Sequence, residues 1–214
     1  MNRKNLAFML YQCINSFPFN NKKRGKINVV NDGAILLKCR MHSTGVGNKL
    51  IFREGGVFRN CEFVFIGDNN VIEFGADCHA ASGSFYIEDS NNSIVTGDHT
   101  NYAGKIHIAC TESTNIKVGD NCLFSSEIVI RSGDSHSIVA INGERINHAK
   151  DVTIQSHVWI GFRVLITKGA LISENTIVGT GAVVTNSFAE GNVVLAGVPA
   201  KIVKRDVNWT NKRI

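Results

Sequence analysis

The 214-residue sequence predicts an all-β fold, a solenoid built from short parallel strands. Three observations support this prediction. An aliphatic residue recurs at every sixth position in the last third of the chain, small residues stand at a fixed offset from it, and 20 glycines accompany only 2 prolines. An α-helix would require apolar positions every 3.6 residues, so the step of six excludes a helix there and indicates strands with regularly placed turns.

The repeat is most regular between residues 154 and 184. Its aliphatic positions are Ile154, Ile160, Ile166, Ile172, Val178 and Val184. Four residues after each of the first five comes a small or β-branched residue: Val158, Val164, Ala170, Thr176 and Ala182. Gly161 and Gly179 directly follow aliphatic positions, where a tight corner tolerates little side chain. Earlier segments carry the same step less regularly.

The length and a hydrophobic content of 43% indicate one principal domain. We assign residues 27–200 to the solenoid, residues 1–26 to an N-terminal segment predicted to be helical, and residues 201–214 to a basic C-terminal tail. The apolar run at residues 6–11 is far shorter than the roughly 20 residues of a membrane-spanning helix, and no small-residue cleavage site follows it. An amphipathic helix packed on the protein explains this run, with contact to a membrane surface as the alternative.

The repeat is interrupted between residues 132 and 151. The in-register positions 136, 142 and 148 hold His, Asn and His, which cannot serve as core aliphatics. We therefore predict a loop that leaves the solenoid over residues 132–151 and carries His136 and His148. Loops on a rigid scaffold are where function tends to lie, so this loop is the first place to seek a site.

Charge and cysteine content exclude several classes of protein. The net charge of +5 comes from basic residues gathered near the two chain ends, which favours a local anionic ligand over nucleic acid. The six cysteines form no Cys-x-x-Cys pair, so neither a zinc knuckle nor a redox motif is indicated. Buried free thiols in a reducing cytoplasm are expected instead. Association with the inner face of the membrane stays open.

Three motifs stand in the last third of the chain: HVWIG at residues 157–161, IVGTGAVVT at 177–185 and AGVPAK at 196–201. They resemble the terminal signature of the hexapeptide-repeat acyltransferases, within which galactoside, maltose and capsular-polysaccharide O-acetyltransferases and the streptogramin acetyltransferases are most similar. The resemblance is strong over about residues 118–205. It implies a left-handed β-helix of triangular section with three hexapeptides per coil. It also implies a homotrimer with active sites between subunits, acetyl-CoA as co-substrate, and a sugar hydroxyl as acceptor, with a cell-surface polysaccharide or its precursor preferred. No metal is expected.

The resemblance places the catalytic histidine at His136, about two dozen residues before the Trp-Ile-Gly motif. A neutral imidazole there would take the proton of the acceptor hydroxyl as it attacks the acetyl carbonyl. Asp134 is a candidate to orient that imidazole, although a loop aspartate also caps turns and a backbone carbonyl could orient the ring equally well. His107 and Glu112 are candidates for the acceptor pocket, and the role of His148 is open.

The resemblance also marks residues for the donor: Trp159, Phe162, Thr180 and Thr185 along the pantetheine arm, and Lys201 and Lys204 at the nucleotide phosphates. Alternation with inward-facing neighbours turns Trp159 outward, where it suits stacking on a sugar or the pantetheine arm, or a trimer interface. Phe162 replaces the small residue common in the family, so only its backbone is expected to contact the thiol arm. Because no nucleophilic Ser or Cys context is evident, we expect direct transfer in a ternary complex.

Other functions on this fold make different demands on the sequence. The γ-type carbonic anhydrases bind zinc through three histidines, two of them close in sequence, and the seven histidines here show no such pair. A non-catalytic β-helix would show regular threonine rows. An N-acetyltransferase acting on an amino sugar or nucleotide-sugar is the main alternative, because the same base serves an amine. An antibiotic acceptor also stays open.

Overall fold

The computed structural model describes residue 10, residues 13–15 and residues 20–212. Within them the chain forms a left-handed parallel β-helix of about seven coils, as predicted. In chain order the strands are β1 (Lys22–Arg24), β2 (Asn28–Asn31), β3 (Ile35–Leu37), β4 (Arg40–Ser43), β5 (Lys49–Phe52), β6 (Val57–Arg59), β7 (Cys61–Ile66), β8 (Val71–Phe74), β9 (His79–Glu88), β10 (Ser93–Thr96), β11 (Asn101–Cys110), β12 (Asn115–Val118), β13 (Leu123–Phe124), β14 (Ile128–Arg131), β15 (Val152–Ile154), β16 (Trp159–Ile160), β17 (Leu165–Ile166), β18 (Leu171–Ile172), β19 (Ile177–Val178), β20 (Val183–Val184), β21 (Val194–Gly197) and β22 (Ala200–Lys204).

Each coil contributes to three faces. Face A contains β3, β6, the start of β9 and of β11, then β13, β16, β19 and β21. Face B contains β1, β4, β7, the end of β9 and of β11, then β14, β17 and β20. Face C is the seven-stranded sheet of β2, β5, β8, β10, β12, β15 and β18. β9 and β11 each turn the corner between faces A and B, which joins those faces into one 15-stranded sheet.

Coil length changes along the solenoid. On face C, Leu50, Ile72, Ile94 and Ile116 lie in register at intervals of 22 residues, whereas Ile154 and Ile172 are 18 residues apart. Three hexapeptides per coil thus describe only the second half. The four additional residues lie between faces B and C, at the corner where the 132–151 loop later leaves. This longer coil explains why the step of six is weak in the first half of the sequence.

The core follows the predicted repeat. All six aliphatic positions from Ile154 to Val184 are at most 1% exposed. The wider coils of the first half enclose more space between the faces, and phenylalanine rings fill it because protein interiors are close-packed. Phe63 and Phe85 stack at 5.4 Å and Phe52 and Phe74 at 5.7 Å between ring centroids, in each case one coil apart.

An asparagine ladder, Asn48, Asn70 and Asn92, lies buried at the corner between faces B and C. Asn48 Oδ1 accepts from Asn70 N at 2.9 Å, and Asn70 Oδ1 accepts from Asn92 N at 2.8 Å. Asn92 Oδ1 accepts from Thr114 N at 3.0 Å, and Thr114 Oγ1 donates to Ser132 Oγ at 2.7 Å. Each side chain thus supplies a buried main-chain group with a partner, and the ladder ends beneath the first residue of the 132–151 loop.

Both chain ends differ in part from the sequence assignment. The helix predicted over residues 1–26 falls largely outside the described residues, although Leu10, Cys13 and Ile14 are helical. Within that range Lys22–Arg24 forms a strand, because it pairs with β4 at the open edge of face B. The predicted tail is likewise structured, since β22 pairs antiparallel with β21. In the described part of the chain no helix is long and apolar enough to cross a membrane.

Candidate active site

The 132–151 loop leaves face B after β14 and returns to face C at β15. The side chain of His136 is exposed. Both polar groups of its main chain, the N–H and the carbonyl, form hydrogen bonds. His136 N donates to Asp134 O at 2.6 Å, and His136 O accepts from Asn147 Nδ2 at 2.8 Å. Among residues 20–212 no hydrogen bond to the imidazole is found, so the bonds that hold His136 within this subunit are those of its main chain.

Asp134 is bonded to other groups than the imidazole it was expected to orient. Its carboxylate accepts from Lys168 Nζ and, at 2.9 Å, from Asn147 Nδ2. The hydrogen bond from Lys168 lowers the pKa of Asp134 below its ordinary value, so the group is ionised at neutral pH. Asp134 reaches His136 through its main-chain carbonyl, and its side chain holds the loop to the solenoid.

Glu112 also fastens the loop, although the sequence made it a candidate for the acceptor pocket. Its carboxylate accepts from Arg145 Nη2 at 2.5 Å and from Ala149 N at 3.2 Å. The hydrogen bond from Arg145 is the main reason that the pKa of Glu112 is lowered. His148, beside these contacts, is exposed. Glu112 therefore ties the returning leg of the loop to the preceding coil.

His107 lies apart from Glu112, on the outer surface of face B. It lines a groove of about 670 Å³ together with Arg40, Glu62, Ser84, Lys105 and Glu127. Burial, and then the charge of Arg131, lower the pKa of His107 below its ordinary value, so it is neutral at neutral pH. The groove carries two cations and two carboxylates, and it crosses successive coils of face B as far as β14.

Trp159 faces outward, as the alternation predicted, with 40% of its surface exposed and Val158 and Ile160 fully buried. Its ring centroid lies 6.1 Å from that of Trp209. Trp209 stacks on His157 at 4.5 Å and donates from Nε1 to His157 O at 2.8 Å. The sequence analysis missed Trp209, because nothing local indicates that residue 209 returns to the turn before β16, 52 residues earlier.

Phe162 and Thr180 lie at the corner between faces A and B in successive coils. Gly181 N donates to Phe162 O at 2.8 Å, and the Arg163 guanidinium lies 4.9 Å from the centroid of the Phe162 ring. The coils approach so closely here that a Cβ on Gly161 would stand 2.7 Å from Val178 O, so only glycine fits. The Phe162 and Thr180 backbones thus lie one coil apart at this corner, in close contact.

The remaining donor residues lie elsewhere. Thr185 follows β20 at the corner between faces B and C, one coil beyond Thr167, on the corner that the loop leaves. Lys201 and Lys204 are exposed on β22, opposite Ala196 and Val194 of β21. They therefore lie at the last coil, at the end of face A.

The predicted site residues thus form two groups on different corners of one chain. His136, Asp134 and Thr185 lie at the corner between faces B and C. The donor group, on face A and the corner between faces A and B, consists of Trp159, Phe162, Thr180, Lys201 and Lys204. One side of the triangular coil separates the groups. In the described ranges no cluster of three or more metal-ligating side chains is found.

The fold is that of a hexapeptide-repeat acyltransferase, a left-handed parallel β-helix with one long loop leaving a corner. No model of a known protein family matches the chain. The polysialic acid O-acetyltransferase of Neisseria meningitidis is 33% identical over 189 residues, 78% of this chain and 88% of that protein. The galactoside O-acetyltransferase of Escherichia coli K12 is 30% identical over 114 residues, 52% of this chain and 54% of that protein.

The crystal structure of the polySia-specific acetyltransferase NeuO superposes with a TM-score of 0.82 at 27% identity, covering 90% of this chain and 88% of that one. The chain belongs to the hexapeptide-repeat O-acetyltransferases. It is an acyltransferase, as the terminal motifs indicated.

Proposed function

We propose that this protein transfers the acetyl group of acetyl-CoA to a hydroxyl of a polysaccharide or its precursor, with His136 as the general base. The observation that carries the assignment is the presentation of His136, whose main chain is bonded on a loop while its ring stays exposed. The 33% identical polysialic acid O-acetyltransferase supports a polysaccharide hydroxyl as the acceptor.

The chemistry requires one base and no covalent intermediate. The neutral His136 imidazole takes the proton from the acceptor hydroxyl as its oxygen attacks the thioester carbonyl carbon. The tetrahedral intermediate then collapses, the carbon–sulfur bond breaks, and the imidazolium returns a proton to the coenzyme A sulfur. Direct transfer is favoured because Cys39, Cys61, Cys78, Cys110 and Cys122 are all buried and cannot serve as an acyl carrier. The exposed Cys13 belongs to the N-terminal segment, where nearby Asn15 bonds the main chain of the first coil rather than the 132–151 loop.

We assign the donor to the corner between faces A and B. Trp159 offers an outward ring, and the main chains of Phe162 and Thr180 lie in neighbouring coils at this corner. Lys201 and Lys204 stand as exposed cations at the last coil, where they would meet the phosphates of the nucleotide. The Arg163 guanidinium covers one face of the Phe162 ring. We therefore expect the thiol arm to contact the main chain of Phe162 rather than its ring.

The two groups of site residues support a homotrimer with active sites between subunits. A rigid solenoid cannot bring one of its own corners to another, so a base on one corner and a donor groove on the next are completed by a neighbouring copy. The loop also exposes four aliphatic side chains, Ile138 (56%), Val139 (58%), Ile141 and Ile146 (62%), which a neighbour would cover. We place the protein in the cytoplasm, because the six free cysteines of the described residues suit a reducing compartment.

A screen of acceptors tests this function. The full chain is incubated with acetyl-CoA and with matched polysaccharides that offer only hydroxyls or also free amines, and release of the coenzyme A thiol is measured together with the site of acetylation. We expect ester formation on a hydroxyl acceptor, abolished in His136→Ala. Amide formation alone would establish the N-acetyltransferase alternative, which the O-acetyltransferase relatives disfavour.

A further inference from the structure

One buried side chain bonds the main chain at His136 and Ile138 and the side chain of Asp134. Asn147 is 7% exposed. Its Nδ2 donates to His136 O at 2.8 Å and to Asp134 Oδ2 at 2.9 Å, while its Oδ1 accepts from Ile138 N at 2.7 Å. The amide therefore bonds residues two before and two after the histidine, as well as the histidine itself.

Asn147 is in turn fixed to the solenoid. Lys168, in the following coil, donates from Nζ to Asn147 O at 2.8 Å and to the Asp134 carboxylate. The Glu112 carboxylate, in the preceding coil, accepts from the Arg145 guanidinium and from Ala149 N. These donors lie two residues before and two residues after Asn147. The segment around Asn147 is thus tied to the coils above and below, and the histidine segment is tied to Asn147.

This arrangement matters because the imidazole has no hydrogen-bond partner among the described residues. A general base acts only when its nitrogen lies within hydrogen-bond reach of the proton it removes, and a displacement of about 1 Å can cost roughly 10²-fold in rate. Within one subunit, the Cα of His136 therefore sets the region that the imidazole can reach by rotation about its own two side-chain torsions. That position depends on the Asn147 amide.

We propose that Asn147 is the positioning residue of the active site, holding the His136 backbone where the imidazole reaches the acceptor hydroxyl. The inference rests on the proposed role of His136 as the base. Asn147 itself contacts neither substrate: both Nδ2 hydrogens and its Oδ1 are used within the loop.

Two variants test this positioning. Asn147→Ala removes the amide, and kcat should fall by about 10- to 100-fold with an unchanged KM for acetyl-CoA. Asn147→Asp keeps the size and the acceptor for Ile138 N but loses the donor to His136 O, and it should lose kcat similarly even if the alanine variant folds poorly. Asn142→Ala is the matched control, because Asn142 is exposed in the same loop and only accepts from Glu144 N at 3.1 Å.

Each rate is divided by the concentration of acetyl-CoA binding sites, which is measured by titrating the protein with acetyl-CoA. Unfolded protein, which binds no acetyl-CoA, is thereby excluded from the comparison. The decisive measurement is a double-mutant cycle with His136→Ala. Because Asn147 acts through His136, adding Asn147→Ala to His136→Ala should change the residual rate by no more than about twofold. A general structural role would instead lower the residual rate by the same factor as in the wild type, and that result overturns the proposal.

The cycle separates the two hypotheses. If His136→Ala keeps the wild-type rate, the proposed base is wrong and the role of Asn147 falls with it. If His136→Ala loses the rate while both Asn147 variants keep the wild-type kcat, the base stands and only the positioning role is overturned.

Discussion

Asn92→Ala should destabilise the protein through the asparagine ladder. The amide of Asn92 is 2% exposed, accepts from Thr114 N at 3.0 Å and donates to Glu88 O at 2.9 Å. Alanine keeps the backbone N–H that bonds Asn70 Oδ1 but leaves those two main-chain groups without a partner. Each unsatisfied buried polar group costs about 1–3 kcal/mol, so two groups cost about 2–6 kcal/mol. We expect a loss in the free energy of unfolding toward the lower end of this range, about 3 kcal/mol.

For a chain of this length 1 kcal/mol corresponds to about 2–4 °C, so the unfolding temperature should fall by roughly 6–12 °C. The assay is thermal unfolding at one scan rate and one protein concentration, because an oligomer's unfolding depends on both. Asn101→Ala is the control, since Asn101 is exposed on β11 and a surface substitution should change stability by less than about 0.5 kcal/mol.

A decrease in Asn92→Ala no larger than in Asn101→Ala would refute this reasoning. It would show that the Thr114 N–H and the Glu88 carbonyl find other partners at no cost. The Asn92 side chain would then contribute nothing measurable to the free energy of unfolding.

Four further outcomes are expected. His136→Ala should lower turnover by about 10²- to 10⁴-fold while acetyl-CoA still binds, and an active alanine variant would dismiss the assignment. Replacing both Lys201 and Lys204 with Ala should raise the KM for acetyl-CoA with little change in kcat. Wild type should prefer acetyl-CoA to its 3′-dephospho form, and the double variant should not. An equal preference in both proteins would show that these lysines do not contact the 3′-phosphate. Mixing unfolded His136→Ala and Trp159→Ala subunits and refolding them together should restore activity that neither has alone, whereas no recovery would argue against sites shared between subunits. The pKa of Asp134 is lower in the folded protein than in the unfolded chain, so the ionised carboxylate stabilises the fold at any pH above its unfolded-state pKa of about 4. This stability is lost as the pH falls below that value, so the urea midpoint should fall less steeply with acid in Asp134→Asn than in wild type. Equal slopes would contradict this contribution.

The candidate base could be read from the sequence, but its surroundings could not. His136 is visible because it breaks a regular repeat near a family motif. Asn147 and Lys168 carry no such signal, because a polar residue in a polar loop is indistinguishable from a solvated one until the loop closes on it. For the same reason the sequence offered Asp134 as a candidate to orient the imidazole and Glu112 as a candidate for the acceptor pocket, and could not show that both carboxylates bond groups that hold the loop.

The sequence by itself determined the fold of the second half. From Ile154 to Val184 every coil is built from the same local rule, an inward aliphatic every six residues, and neighbouring coils repeat it, so periodicity specifies three-dimensional contacts. Only the tertiary structure decided the 22-residue coils, the return of Trp209 to His157, and the separation of site residues onto two corners. These features depend on which residues become neighbours across coils and on how many residues each corner holds. Such contacts link positions distant in sequence, and no local pattern encodes them.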